Sequence, residues 1–84
     1  MEEIKVIGID LAKSVFEICA TAEDGRAVER RRLKRRSFLT YMEKAPRVLV
    51  GLEAGPGAHY WARCLMDRGF AVKVMSPRAV RHRL

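Results

Sequence analysis

Three short and mostly apolar runs constrain the fold of this chain more than any other feature. They are Ile4–Asp10, Val48–Glu53 and Phe70–Met75. Runs of this length and composition are typical of parallel strands that are buried on both faces of a sheet. Parallel neighbours need a crossover connection between them, which is usually a helix. The pattern therefore predicts an α/β fold.

Two further strands are predicted between the first two of these runs. The first is Ser14–Thr21, and the second is Ala27–Arg36. They are separated by Asp24-Gly25, a dipeptide that strongly favours a tight β-hairpin turn. Ala27–Arg36 carries charged side chains on both of its faces, so we expect it at an edge of the sheet.

Helices are predicted in the remaining segments. Ser37 is expected to cap a short helix at its N-terminus, and Pro56 is expected in the first turn of a second helix that ends before Gly69. The apolar stripe of this second helix comprises Ala58, Trp61, Ala62, Leu65 and Met66. Pro77 is expected to begin a last helical stretch.

This order of elements predicts one topology. A hairpin-linked pair of strands and two right-handed crossovers give a mixed five-stranded sheet with the order third, second, first, fourth, fifth, and flanking helices. That is the ribonuclease H-like arrangement. We expect residues 1–84 to form one domain of this kind.

Composition excludes several classes of protein. The chain has 84 residues with 49% hydrophobic and 32% charged side chains, which is too apolar for a disordered tail. Lys and Arg number 17 against 10 Asp and Glu, so the net charge of +7 favours nucleic acid as a partner, with anionic lipid second. No membrane span or signal peptide is predicted. The two cysteines lack metal-site spacing, which favours reduced thiols and a cytoplasmic protein.

Two carboxylates are candidates for catalysis. Asp10 closes the first predicted strand and Glu53 closes the fourth, and these strands are predicted to be parallel neighbours. Ligands of α/β sheets gather at the carboxyl ends of strands. Two acids placed together there favour a cation between them, and oxygen ligands select Mg²⁺ or Mn²⁺. The alternative is that both acids only terminate strands or cap turns.

The basic side chains are candidates for nucleic-acid binding. Those that are expected to follow a phosphate backbone are Arg30, Arg32, Lys34, Arg36, Arg78 and Arg81, and Lys13 is placed to meet a scissile phosphate. Arginine is well suited to phosphate recognition. The alternative is a solvated edge strand whose charges block edge-to-edge aggregation, and an exposed turn lysine at position 13.

Several motifs together resemble one family of DNA-recombining proteins. The segment Ile7-Gly8-Ile9-Asp10-Leu11-Ala12-Lys13 resembles the opening strand of insertion-sequence transposases with a RuvC-like DEDD domain, the IS-one-ten family. Leu52-Glu53-Ala54-Gly55 and the following Gly57–Arg63 are similar to the second acidic motif and helix of that family. Pro56 departs from the small residue expected there. The resemblance covers essentially the whole chain.

The resemblance implies that Asp10 and Glu53 bind Mg²⁺ or Mn²⁺ at a DNA-recombining site. The family places two further Asp residues after the position of Leu84, so we expect a truncated domain that binds metal weakly, or not at all, and is catalytically inactive alone. The resemblance also implies DNA and a guide RNA as partners. A homo-oligomer is expected if apolar sheet surface is exposed.

Three other functions compete with this interpretation. A non-catalytic nucleic-acid-binding or assembly module would have the same fold and basic edge. A RuvC-like Holliday-junction resolvase would share the chemistry, but it matches Ala58–Arg63 less well. A sugar-kinase or actin-like ATPase fragment would need Gly and Ser or Thr after Asp10 to bind phosphates, and this sequence has Leu-Ala-Lys instead.

Overall fold

Five strands and two helices make up residues 3–11 and 14–76, the part of the chain that the computed structural model describes. The strands are β1 (Val6–Leu11), β2 (Val15–Thr21), β3 (Ala27–Lys34), β4 (Leu49–Glu53) and β5 (Ala71–Met75). The helices are α1 (Arg35–Lys44) and α2 (Ala58–Asp67). The stretch predicted to begin at Pro77 lies outside the described residues.

The strands form one mixed sheet with the order β3-β2-β1-β4-β5, as predicted from the sequence. β1 pairs antiparallel with β2 and parallel with β4. β2 pairs antiparallel with β3, and β4 pairs parallel with β5. The predicted hairpin is confirmed, since Gly25 adopts a φ of 86° in the turn between β2 and β3. The charged strand β3 lies at the sheet edge, where the backbone N–H and C=O groups on one side of the strand pair with no other strand.

The hydrophobic core lies between one face of the sheet and both helices. The fully buried side chains include Ile7, Ile9, Phe16, Val50 and Leu52 from the sheet, and Phe38, Met42 and Leu65 from the helices. Alternate residues of a strand point to opposite faces, so every second residue of β1, β2 and β4 faces this core. The other sheet face, here called the open face, has no helix of the described segments against it.

Three aromatic rings connect β2 with the two helices. The ring of Phe16 lies 4.3 Å from that of Phe38 and 5.0 Å from that of Trp61, in edge-to-face arrangements. The rings of Phe38 and Trp61 are 5.5 Å apart. Such pairs contribute beyond the area they bury, by about 1 kcal/mol each. This cluster fixes the start of α1 and the start of α2 above the same strand.

Helix α2 ends where the sequence predicts, in a Schellman motif. Gly69 has a φ of 95°, a conformation that favours glycine, and its N–H donates to the carbonyl of Met66 at 3.0 Å. The N–H of Phe70 donates to the carbonyl of Leu65 at 3.1 Å. The start of α2 differs from the prediction, because the helix begins at Ala58 and Pro56 precedes it.

The predicted boundary between β3 and α1 is wrong, because β3 ends two residues earlier than expected and the N-cap residue of α1 lies three residues earlier. β3 ends at Lys34, so Arg36 lies in the first turn of α1, and Ser37 lies inside the helix instead of capping it. Lys34 is the N-cap residue, and its side chain makes no capping hydrogen bond. The earlier start follows from the sheet pairing, because Lys34 lies opposite Val15, the first residue of β2, and the ladder between β2 and β3 ends there.

Met66 also departs from the prediction. It was assigned to the apolar stripe of α2, yet it is 49% exposed. It lies at the margin of that stripe, at i+8 from Ala58 and i+5 from Trp61, and its side chain is not part of the core. Trp61, predicted to be in the core, is 7% exposed. None of the helices in residues 3–11 and 14–76 has the length and hydrophobicity needed to cross a lipid bilayer.

Candidate functional site: an acidic pair beside a basic edge strand

Asp10 and Glu53 are neighbours on the open face of the sheet. β1 and β4 pair in parallel with Gly8 beside Gly51 and Ile9 beside Leu52, so the next step of the register places Asp10 beside Glu53. Paired strands lie about 4.8 Å apart. Ile9 and Leu52 point into the core, and the following residues therefore point to the opposite face. Both acids are partly buried, and Oε2 of Glu53 is shielded from solvent.

The backbone around Glu53 is held by β5. The N–H of Ala54 donates to the carbonyl of Met75 at 2.7 Å, directly after the end of β4. The side chain of Met75 lies over Gly51, in the space that a Cβ atom at position 51 would occupy. Glu53 therefore lies at the end of β4, a strand that is paired with both β1 and β5 and whose Gly51 is covered by the side chain of Met75.

The donor set of this pair fits a hard divalent cation. Mg²⁺ prefers oxygen ligands, and it is usually bound through one or two carboxylates together with waters and substrate phosphates. Asp10 and Glu53 provide two such carboxylates on adjacent strands. Within residues 3–11 and 14–76, no three His, Cys, Asp or Glu side chains are grouped as a complete metal site would require. Two carboxylates alone do not form a complete site of this kind.

Glu17 is a third acid beside this pair, and the sequence interpretation missed it. The antiparallel register places Glu17 of β2 directly opposite Asp10. Its carboxylate faces away from the pair, since Oε2 accepts a hydrogen bond of 3.0 Å from Nη2 of Arg32 on β3. The very short connection between β1 and β2 was the available signal, because it fixes the register of the two strands.

The basic residues of β3 share the open face with the acids. Arg30 is paired with Cys19, Arg32 with Glu17 and Lys34 with Val15. All three side chains are exposed. Arg36, which the sequence interpretation placed on the same strand face, lies instead on α1. Lys13, Arg78 and Arg81 lie outside the described residues.

Arg31 has a different environment on the helix side of β3. Its Nε donates to Oε2 of Glu29 at 2.7 Å, and the hydroxyl of Tyr41 donates to Oε1 of Glu29 at 2.9 Å. The hydrogen bond from Arg31, reinforced by that from Tyr41, lowers the pKa of Glu29. Burial and the same carboxylate raise the pKa of Tyr41 to about 12. This network attaches α1 to the edge strand and neutralises Arg31.

Sequence comparison links the chain to transposases. No family model matches it. The transposase for insertion sequence element IS1111A of Coxiella burnetii is 35% identical over 81 residues, which is 96% of this chain and 22% of that protein. A putative transposase of Sinorhizobium fredii, y4pF/y4sB, is 37% identical over 78 residues, or 93% of this chain and 20% of the relative.

A third relative is similar to the same extent. The probable family 20 transposase of Pseudomonas aeruginosa is 40% identical over 75 residues, which is 89% of this chain and 22% of the relative. The chain thus spans about a fifth of the length of the curated relatives it matches. Over nearly all of its length, this chain is homologous to one part of the transposases of bacterial insertion sequences.

Proposed function

We propose that this chain is the part of an insertion-sequence transposase that supplies two carboxylates to a metal-dependent site for DNA strand transfer. The observation that carries the proposal is the parallel register of β1 and β4, which pairs Ile9 with Leu52 and so brings the next residues, Asp10 and Glu53, together. The transposase relatives support the reaction class. The strand order supports a ribonuclease H-like domain of the RuvC-like DEDD type, in which these acids are the first Asp and the Glu.

The two acids would hold Mg²⁺ or Mn²⁺ against a phosphodiester. When bound, such an ion activates the attacking oxygen and stabilises the leaving oxygen. Asp10 and Glu53 would fix the position of the ion, because both project from paired strands in the sheet interior. Without a cation, the two negative charges would repel a DNA phosphate, so the acids also make binding at this point depend on metal.

Two carboxylates are a weak binding site on their own. Further ligands are needed to fix a two-ion arrangement. We therefore expect the 84-residue chain to bind the ion loosely and not to cleave DNA by itself. Substrate DNA, a guide RNA and a second protein copy are the partners that this proposal includes for the active assembly.

A non-catalytic nucleic-acid-binding module is the second candidate. The observation that favours it is that the described residues group no three metal-binding side chains. The two candidates differ in one property. That property is the need for Asp10 and Glu53. A non-catalytic module would bind DNA equally well without them, whereas a transposase segment requires both acids for recombination.

A chimeric transposase tests the proposal. The matching 81-residue segment of the Coxiella burnetii relative is replaced by this chain, and excision of a marked element is measured in cells. We expect excision by the chimera and its loss in Asp10→Asn and Glu53→Gln. Asp67→Asn, which removes an exposed acid at the end of α2, is the matched control and should retain activity.

Two outcomes would contradict the proposal. One is excision that persists in both Asp10→Asn and Glu53→Gln. The other is a chimera that accumulates as a folded protein, binds DNA as the relative does, and supports no excision even with both acids in place. The second outcome would favour the non-catalytic module.

A further inference from the structure

A basic groove lies where β2, β3 and α1 meet. It has a volume of about 670 Å³ and is lined by Ser14, Val15, Lys34, Arg35 and Arg36. Three successive cations line this groove, and no acidic residue does. A concave surface with cations on one wall can surround an anion that a flat surface would only touch.

The charges of this groove are not neutralised by neighbouring acids. Elsewhere on β3, Arg31 is paired with Glu29 at 2.7 Å and Arg32 with Glu17 at 3.0 Å. Across residues 3–11 and 14–76, Lys34 and Arg36 form no ion pair with a carboxylate. Arg35 packs over the ring of Trp61, with its guanidinium carbon 5.8 Å from the ring centre. At the carboxyl end of β3, the positive charge of Lys34 and Arg36 is therefore available to an anion.

The backbone adds to this positive potential. Helix α1 begins at Arg35, its N-cap side chain makes no hydrogen bond to the first turn, and that turn contains no acidic residue. The first N–H groups of a helix have no partner within the helix, and the helix dipole places partial positive charge there. The groove thus combines side-chain cations with backbone donors, both of which favour an oxyanion.

We propose that this groove binds a phosphate of the DNA backbone next to the acidic pair. The identity of the anion as DNA rests on the proposed function. β3 is two strands away from β1, which corresponds to about 10 Å. A DNA strand advances about 3.4 Å per nucleotide along the helix axis and also winds around that axis, so the groove would hold a phosphate within about three nucleotides of the one at Asp10. The groove would therefore fix the register of the substrate strand.

A salt titration of DNA binding tests this assignment. The affinity of the 84-residue chain for a fluorescent DNA duplex is measured by anisotropy over a range of NaCl concentrations, with EDTA present. Each lost phosphate contact reduces the slope of log affinity against log salt by about 0.9. We expect Lys34→Gln with Arg36→Gln to reduce the slope by about 2, and to weaken binding at low salt by about tenfold or more.

A matched control removes the same charge elsewhere. Lys44→Gln with Arg63→Gln also loses two cations, from the last turn of α1 and the exposed side of α2. This control should reduce the slope by less than half of the reduction that is expected for the groove variant. Lys34→Arg with Arg36→Lys keeps both charges and should retain the wild-type slope, and thermal unfolding of each variant identifies any loss of folding.

Three results would overturn the proposal. The first is an equal loss in the groove variant and the control, which would indicate a general effect of net charge. The second is an unchanged slope in the folded groove variant. The third is a larger loss for an RNA duplex than for the DNA duplex, which would assign the groove to RNA. Because EDTA removes divalent ions, each of these results leaves the proposal for the acidic pair unaffected.

Discussion

Glu17 accepts a hydrogen bond of 3.0 Å from Arg32 across β2 and β3. The same Glu17 lies directly opposite Asp10 on β1. Glu17 therefore lies between Asp10 and the basic strand β3, and it neutralises Arg32, the basic residue of β3 that lies level with Asp10. Its removal should change DNA binding without touching the acids that are proposed to hold metal.

Replacement of Glu17 by Gln is expected to strengthen DNA binding. The change releases Arg32 for a phosphate, so the slope of log affinity against log salt should become steeper by about 0.9. The cost in unfolding free energy should stay within about 1 kcal/mol, because the pair is exposed. Glu23→Gln, which removes an exposed acid from the β2–β3 turn, is the control. Equal slopes for the two variants would show that Arg32 makes no new phosphate contact.

Arg47 is expected to be the most important exposed side chain for stability. Its Nε donates to the carbonyl of Arg68 at 2.8 Å, and its Nη1 donates to the carbonyl of Ala45 at 2.6 Å. Its guanidinium carbon lies 4.6 Å from the ring centre of Phe70. Arg47 thus satisfies carbonyls at the ends of both helices, where a helix leaves such groups without partners.

Arg47→Ala should lower the free energy of unfolding by about 2 kcal/mol, measured by urea denaturation. Arg47→Lys should recover only part of this loss, since an ammonium group cannot reproduce the planar fork of a guanidinium. Arg63→Ala on the exposed side of α2 is the control, and it should change stability by less than about 0.5 kcal/mol. A similar small change for Arg47→Ala would contradict the interpretation.

Tyr41 is expected to make stability depend on alkaline pH. Burial and its hydrogen bond to Glu29 raise the pKa of Tyr41 from 10.0 to about 12. The folded state therefore holds this proton more tightly than the unfolded state. The resulting stabilisation is fully present below about pH 10 and is lost as the pH rises through about 12.

Phenolate absorbance measures this shift in a Tyr60→Phe chain, in which Tyr41 is the remaining tyrosine. The transition should be centred near pH 12. The Tyr41→Phe variant should show a smaller decrease of unfolding free energy between pH 10 and 12 than the wild-type chain. A Tyr41 transition centred at 10.0 would show that the phenol is not protected by α1 and β3.

Much of the fold could be predicted because the strongest signals are local. Asp24-Gly25 marks the hairpin, and Gly69 marks the end of α2 in the Schellman motif. The charged side chains on both faces of β3 correctly predict an edge strand. Because crossover connections are right-handed, these elements can be arranged in only a few strand orders. The observed order is the one that brings the ends of β1 and β4, with Asp10 and Glu53, together.

The features that were missed depend on tertiary contacts. Ser37 is a good N-cap residue, yet the N-cap of α1 is Lys34, three residues earlier, because the pairing of β3 with β2 ends at that residue. Glu17 was not recognised because its position beside Asp10 depends on the strand register. The hydrogen bond from Arg47 to the carbonyl of Arg68 joins residues 21 positions apart, and no local pattern predicts such a contact.

The metal site proposed at Asp10 and Glu53 is tested most directly by adding Mn²⁺ to the 84-residue chain and recording its amide NMR spectrum. Mn²⁺ broadens the signals of nearby nuclei, so it locates even a loosely held ion. We predict selective broadening at Asp10 and Glu53 and their neighbours, with loss of the effect in Asp10→Asn and its retention in Asp67→Asn. Broadening that is centred elsewhere, or that persists unchanged in Asp10→Asn, would contradict the assignment of these two acids as metal ligands.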